Sequence, residues 1–207
     1  MVNFKLRVTW YSLFKSACLF WPFLFFGLMV VLLHFLPALT PVLEYNKIEV
    51  QQGQYWRIFT GHLLHTNSYH LWLNLAALVL LALLHNKFYS PLLLLAFYIF
   101  TAAAVSLGIF LFTPNMLFYV GLSGVLHGLF VLGALFDIKH NDKTGYLLFI
   151  GVILKVLHEQ TYGATDSLKQ LIEADVAINA HLFGMCAGIV YFFLHTLYRI
   201  YLAKLHK

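Results

Sequence analysis

The 207 residues are 61% hydrophobic and only 10% charged, against roughly 25% charged in ordinary soluble domains. That balance excludes a soluble globular enzyme and describes a polytopic membrane protein with little chain left for anything else. The net charge of +5 comes without a basic stripe on a soluble fold, so it excludes a nucleic-acid partner and reads as membrane topology. Cys18 and Cys186 both fall in apolar runs, without the C-x-x-C spacing of metal or redox sites.

Along the chain, Lys5, Arg7 and Lys15 precede an apolar run over 16–36. It imitates a signal peptide but exceeds the ~7–15 residues of a typical h-region, so a retained membrane helix is expected. A spanning helix needs about 20 mostly apolar residues. Five further spans are expected over 67–84, 91–112, 120–136, 143–158 and 176–202. The fifth of the six is short and contains Lys155. Between them, 37–66 is a long amphipathic loop with Glu44, Lys47, Trp56 and Arg57, and 85–90 is a short turn. Residues 113–119 are uncharged, 137–142 form a polar hairpin, and 159–175 are a second long loop, net acidic. No repeat or linker interrupts the chain, so 1–207 reads as a single domain: an all-α, six-span bundle in a lipid bilayer.

Basic residues favour the cytoplasmic side. With the N-terminus inside, the inner side holds nine: Lys5, Arg7, Lys15, Lys87, Lys139, Lys143, Arg199, Lys204 and Lys207. The outer side holds three, Lys47, Arg57 and Lys169. Both termini are therefore expected in the cytoplasm. The second, fourth and sixth spans then start at the outer face and carry polar side chains early: His70 and Asn74, Ser123 and His127, Asn179 and His181. At ~1.5 Å rise per residue they lie roughly 5–10 Å below the outer surface. Intramembrane ionisable groups are costly and face a cavity or the bundle interior, so a polar pocket opening outward is expected. Gly121, Gly124 and Gly128 on one span and Ala180, Gly184 and Gly188 on another form small-xxx-small patterns. Such patterns let helices approach closely, which would bring Ser123 beside His181.

A serine hydroxyl is a weak nucleophile until a base takes its proton, and a neutral histidine in reach can do so. Ser123 begins a helix, where free N–H groups and the dipole favour an oxyanion. Asn74 and His70 are side-chain donors at similar depth. The eight carboxylates all fall in loops or at helix ends by this reading, Glu159 among them, and Asp137 is at the wrong end of its helix. A Ser–His dyad is expected rather than a triad.

These residues resemble the rhomboid family of intramembrane serine proteases. Gly121-Leu122-Ser123-Gly124 is similar to the rhomboid Gly-x-Ser-Gly motif that carries the nucleophile. Ala180-His181-Leu182-Phe183-Gly184, followed by Gly188, resembles the motif that carries the base. His70-Leu71-Trp72-Leu73-Asn74 looks like the oxyanion-donor motif, and Trp56-Arg57 like a pair in the first rhomboid loop. The resemblance implies catalytic Ser123 and His181, with His70, Asn74, Leu122 and His127 at the oxyanion and substrate subsites, and no metal or cofactor. Where many rhomboids have an aromatic residue stacked on the base, four positions after the nucleophile, this chain has His127. The run Gly-Leu-Ser-Gly-Val-Leu-His-Gly resembles the rhombosortase branch. That branch implies a bacterial inner membrane, a site open to the periplasm, and substrates with a C-terminal Gly-Gly motif, a membrane helix and a basic tail. Glycines beside the scissile bond suit an extended backbone.

Each residue also has a plainer reading. Ser123 alone is the kind of small polar residue that packs helices. His70 and Asn74 could be an interhelical hydrogen-bonded pair, and His127 a packing residue. His62, His65 and His85 read as solvated or structural groups near an interface, and Trp56 and Arg57 as interfacial anchors. Two other functions compete. One is a non-catalytic rhomboid-like protein that binds membrane clients, which needs neither Ser123 nor His181. The other is a haem-binding or proton-translocating membrane protein, suggested by the eleven histidines with His70 and His181 as candidate haem ligands, which leaves Ser123 and Asn74 without a role.

Overall fold

The computed structural model describes residues 20–205. Lys5, Arg7, Lys15, Cys18, the first residues of the first expected span and Lys207 lie outside them. Helix α1 (Phe20–His34) is followed by the turn Pro37–Leu39 and α2 (Thr40–Leu43), and the path bends by 86° between them. Strand β1 (Tyr45–Asn46) and the short helices α3 (Lys47–Gln51) and α4 (Arg57–Thr60) complete the segment before α5 (Ser68–His85). Then come α6 (Pro91–Phe112), β2 (Phe118–Tyr119), α7 (Ser123–Lys139), α8 (Thr144–Tyr162), α9 (Asp166–Ile172) and α10 (Ile178–Leu205).

Local chemistry sets several of these ends. The Asn67 side-chain oxygen accepts the His70 N–H at 2.9 Å and starts α5. Ser90 accepts the Leu93 N–H at 3.2 Å, with Pro91 at the first helical position, and starts α6 where the sequence places it. Helix α7 starts three residues later than expected. Phe118–Tyr119 are held extended by antiparallel pairing with β1, Tyr45 opposite Tyr119, and Gly121 takes φ +129°, which no right-handed helix accommodates. Helix α8 runs four residues past its expected end, stopping at Gly163 with φ +77°. The expected loop 159–175 thus gives its first four residues to α8 and contains α9, capped by Thr165.

Among the described residues, Ser68–Phe88, Pro91–Phe112 and Ile178–Leu205 are long and apolar enough to cross a membrane, and the bent pair of α1 with residues 37–43 makes a fourth. Helices α7, with 17 residues, and α8, with Lys155 and Glu159, are not among them. Outward faces are apolar: Leu92 and Leu147 are each 76% exposed. Hydrocarbon around the bundle removes the cost that such faces carry in water.

Helix α7 is the centre of the bundle. Its Leu129 and Leu132 join Leu78 of α5 and Phe97 of α6 in the main core. Against α10 the contact is backbone on backbone. A Cβ on Gly184 would overlap the Gly124 carbonyl, and one on Gly128 would lie 2.8 Å from the Gly184 oxygen. The paired glycines are what let these two helices meet.

The segment 37–66 is a hydrogen-bonded frame rather than a loose amphipathic loop. The Arg57 side chain is buried and donates to Pro41 O at 2.9 Å, Glu44 O at 2.8 Å and Gln54 Oε1 at 2.8 Å. The half-exposed Trp56 indole donates to Val42 O at 3.0 Å. Tyr98 on α6 donates to Phe59 O at 2.6 Å. His62 is wholly buried, with Nε2 at 3.1 Å from Ala102 O and 3.0 Å from Ser106 Oγ. His85 is buried too, at 2.9 Å from the Asp137 carboxylate, which also pairs with Lys87 at 3.2 Å. Both histidines are structural; neither is solvated. The helix dipole disfavours an acid at the C-terminal end of α7, and Lys87 offsets it there.

Candidate active site

The chain enters α7 through an elbow. Gly121 N–H donates to Gly61 O at 3.2 Å, and the Tyr119 hydroxyl donates to Gly121 O at 2.6 Å. The His70 ring packs on the bare Cα of Gly121, where a Cβ would sit 2.9 Å from His70 Cε1. Leu122 holds the cap position and has no side-chain acceptor for the first-turn N–H groups of α7.

Ser123 follows at the first position of α7, and its hydroxyl donates to His181 Nε2 at 2.9 Å. The two residues are 58 apart in sequence and meet because of the glycine contact between α7 and α10. His181 is buried, and its other nitrogen donates to Glu159 Oε2 at 2.8 Å. The second oxygen of Glu159 accepts from Lys155 Nζ at 2.6 Å. Glu159 therefore does not sit in a loop. The extra turn of α8 carries it into the bundle, and the expectation that no carboxylate reaches His181 is corrected. The signal available in the sequence is the Lys155–Glu159 pair, opposite charges at i,i+4 on an apolar helix.

The other expected residues divide. His127 stacks on His181, with ring centroids 4.0 Å apart and planes 16° apart, and its Nδ1–H donates to Ser123 O at 2.8 Å. His70 Nδ1 lies 3.1 Å from the Thr66 hydroxyl and 3.5 Å from the Thr66 N–H. The hydroxyl spends its own proton on Ile172 O at 2.7 Å, so at that bond Nδ1 is the donor. The longer bond from the Thr66 N–H serves the opposite tautomer, with Nε2 as donor. Asn74 is buried and gives one N–H to His70 O at 3.0 Å, leaving the other free. The Leu122 side chain is 1% exposed in the main core, so only its backbone is available to a ligand. Asn179 lines neither cavity at the site.

Two cavities meet at Ser123. One, of about 790 Å³, runs past Thr66, His70, Tyr119 and Val176, with Glu44 and Asp175 in its wall. The other, of about 500 Å³, is an apolar groove between α5 and α8 lined by Asn74, His127, Phe130, Lys155 and His181. His70 and Ser123 line both. His127, Glu159 and His181 offer ligand atoms within 4.8 Å of one another, which raises the question of a metal. The two imidazoles are nearly parallel, so their in-plane lone pairs run side by side instead of converging on one tetrahedral centre. The set fits a hydrogen-bonded proton relay and does not fit a metal.

Residues 52–197 match the sequence profile described as Rhomboid domain. The chain is similar to "Putative rhomboid protease YdcA" of Bacillus subtilis (strain 168), at 28% identity over 153 residues, 74% of this chain and 73% of the Bacillus protein.

Proposed function

Because the chain belongs to the rhomboid family, we propose that it is an intramembrane serine endopeptidase with Ser123 as nucleophile and His181 as base. The observation that carries this reading is the 2.9 Å bond from the Ser123 hydroxyl to His181 Nε2, at the junction of the two cavities. Ser123 Oγ attacks the scissile carbonyl carbon as Nε2 takes its proton. The carbonyl electrons move onto oxygen, beside the first-turn N–H groups of α7, the free Asn74 N–H and, in its Nε2–H tautomer, His70. Collapse breaks the C–N bond, and His181 returns the proton to the departing amine. Water, activated by the same imidazole, then hydrolyses the acyl-enzyme. No metal or cofactor takes part.

The same reading extends to the whole chain: one domain of six spans in a bacterial inner membrane, both termini cytoplasmic, and the site open to the periplasm. The apolar groove suits a substrate's membrane helix. The elbow sequence around Ser123 favours rhombosortase-type clients, anchored by a C-terminal Gly-Gly motif, a membrane helix and a basic tail. An alkyl fluorophosphonate should label the wild type in detergent and neither Ser123→Ala nor His181→Ala. A membrane-anchored reporter with such a tail should be released by cells with the wild type only. Equal release by Ser123→Ala would replace the protease reading with a client-binding one. Equal release after Gly-Gly is changed to Leu-Leu would remove the rhombosortase assignment alone.

A further inference from the structure

We propose that Glu159 is the positioning residue of this site, with Lys155 as its counter-charge, so that the relay runs Ser123–His181–Glu159 across three helices. The proposal rests on the hydrolase reading above and adds a third member to it. Glu159 is a carboxylate only 7% exposed, and its two oxygens are used on different partners: His181 Nδ1 at 2.8 Å and Lys155 Nζ at 2.6 Å.

The bond to Nδ1 decides what Nε2 can do. An ionised carboxylate only accepts, so it holds the proton on Nδ1 and leaves Nε2 with a lone pair aimed at the Ser123 hydroxyl. Without it, a neutral imidazole is free to carry its proton on Nε2, and that tautomer cannot accept from serine. His127 cannot substitute, because its Nδ1–H is committed to Ser123 O at 2.8 Å and its ring lies face to face with His181. The bond also fixes the ring's rotation, which stacking alone leaves open.

Charge bookkeeping explains Lys155. Before reaction the site holds Lys155⁺, Glu159⁻ and a neutral imidazole. When the serine proton moves to Nε2, the imidazolium gained is matched by the oxyanion formed, and the net charge stays zero. The imidazolium then lies against a carboxylate that is already in place, so the developing charge needs little reorganisation. A lysine whose side chain is 52% exposed keeps that carboxylate ionised in an apolar wall, which a buried acid alone would resist. A purely structural tie between α8 and α10 would need the same contacts but would not act on the rate of the serine.

The test uses the full-length protein in detergent and an alkyl fluorophosphonate, read as kinact and KI separately, with thermal unfolding of each variant. Glu159→Gln is expected to lower kinact on the order of 10²-fold to 10⁴-fold with KI within about twofold and the fold retained. Lys155→Met is expected to lower kinact by less than Glu159→Gln does. Nitrogen-15 NMR of histidine-labelled wild type, with the His181 signals assigned by their loss in His181→Asn, is expected to show the proton on Nδ1. This measurement holds even if Glu159→Gln unfolds. Wild-type kinact in Glu159→Gln, or a proton on Nε2 of His181 in the resting protein, would overturn the role of Glu159. Unchanged kinact in Lys155→Met would overturn the role of Lys155. If wild type is labelled and His181→Ala is not, a null effect at Glu159 leaves the dyad intact. If wild type is never labelled, the hydrolase reading itself fails.

Discussion

His62 illustrates how a single side chain ties the fold to pH. Its ring is wholly buried, and the Ser106 hydroxyl gives its own proton to Ile58 O at 2.8 Å. Ser106 Oγ and Ala102 O therefore both accept from Nε2–H, while Nδ1 has no partner. Burial pushes its pKa down to about 4, against the bond to Ala102 O. A second proton would put an unpaired charge on Nδ1. The unfolded chain binds that proton near pH 6.5 and the folded chain does not, so this contribution is present above pH 6.5 and is lost as pH falls toward 4. The full loss is on the order of 3 kcal/mol. Thermal unfolding in detergent should show a steeper decline between pH 6.5 and 4 for wild type than for His62→Gln. At this scale Ser123, His181 and His127 were legible, because motif spacing and helical phase put them together. Glu159 was not: its role depends on one extra helical turn, and the sign of that turn in the sequence, the i,i+4 pair Lys155–Glu159, does not by itself point to His181.

Among elements, the seam between α7 and α10 carries the most consequence. Gly184→Ala adds a carbon where the Gly124 carbonyl already sits. The helices must separate, which typically costs 1–3 kcal/mol for overpacking, and the Ser123–His181 bond lengthens with them. The expected outcome is a lower unfolding temperature together with a loss of probe labelling larger than the stability change accounts for. Gly151, with no atom near its would-be Cβ, should accept alanine without either effect. Helix α6 could be bounded from sequence because Ser90-Pro91 signals its start and the 22 residues from Pro91 to Phe112 are mostly apolar. The start of α7 could not, because it is set by the pairing of β2 with β1, residues more than 70 positions away. Helix α9 was hidden in a loop of mixed composition, and its seven residues are too few for periodicity to register.

For the whole molecule, the proposed topology makes a direct prediction. Alkaline phosphatase joined after Asp175 should be active, being exported, and joined after Asn141 it should stay inactive inside. The reverse pattern would invert the bundle and put the site on the cytoplasmic side. The basic-residue count suggested this orientation and the six apolar runs suggested the bundle, but the fixing of α9 to the N-terminal end of α5 had no counterpart in the sequence. That fixing consists of two bonds: the Thr66 hydroxyl to Ile172 O at 2.7 Å and the Asn67 amide to Leu171 O at 2.9 Å. Together they act as a latch worth a few kcal/mol at most, and the latch is wired to His70. When α9 lifts, the Thr66 hydroxyl is released from Ile172 and can donate to His70 Nδ1, which favours the tautomer whose single N–H sits on Nε2, the nitrogen that faces Gly121. An incoming chain that raises this lid would thereby arm the histidine beneath it.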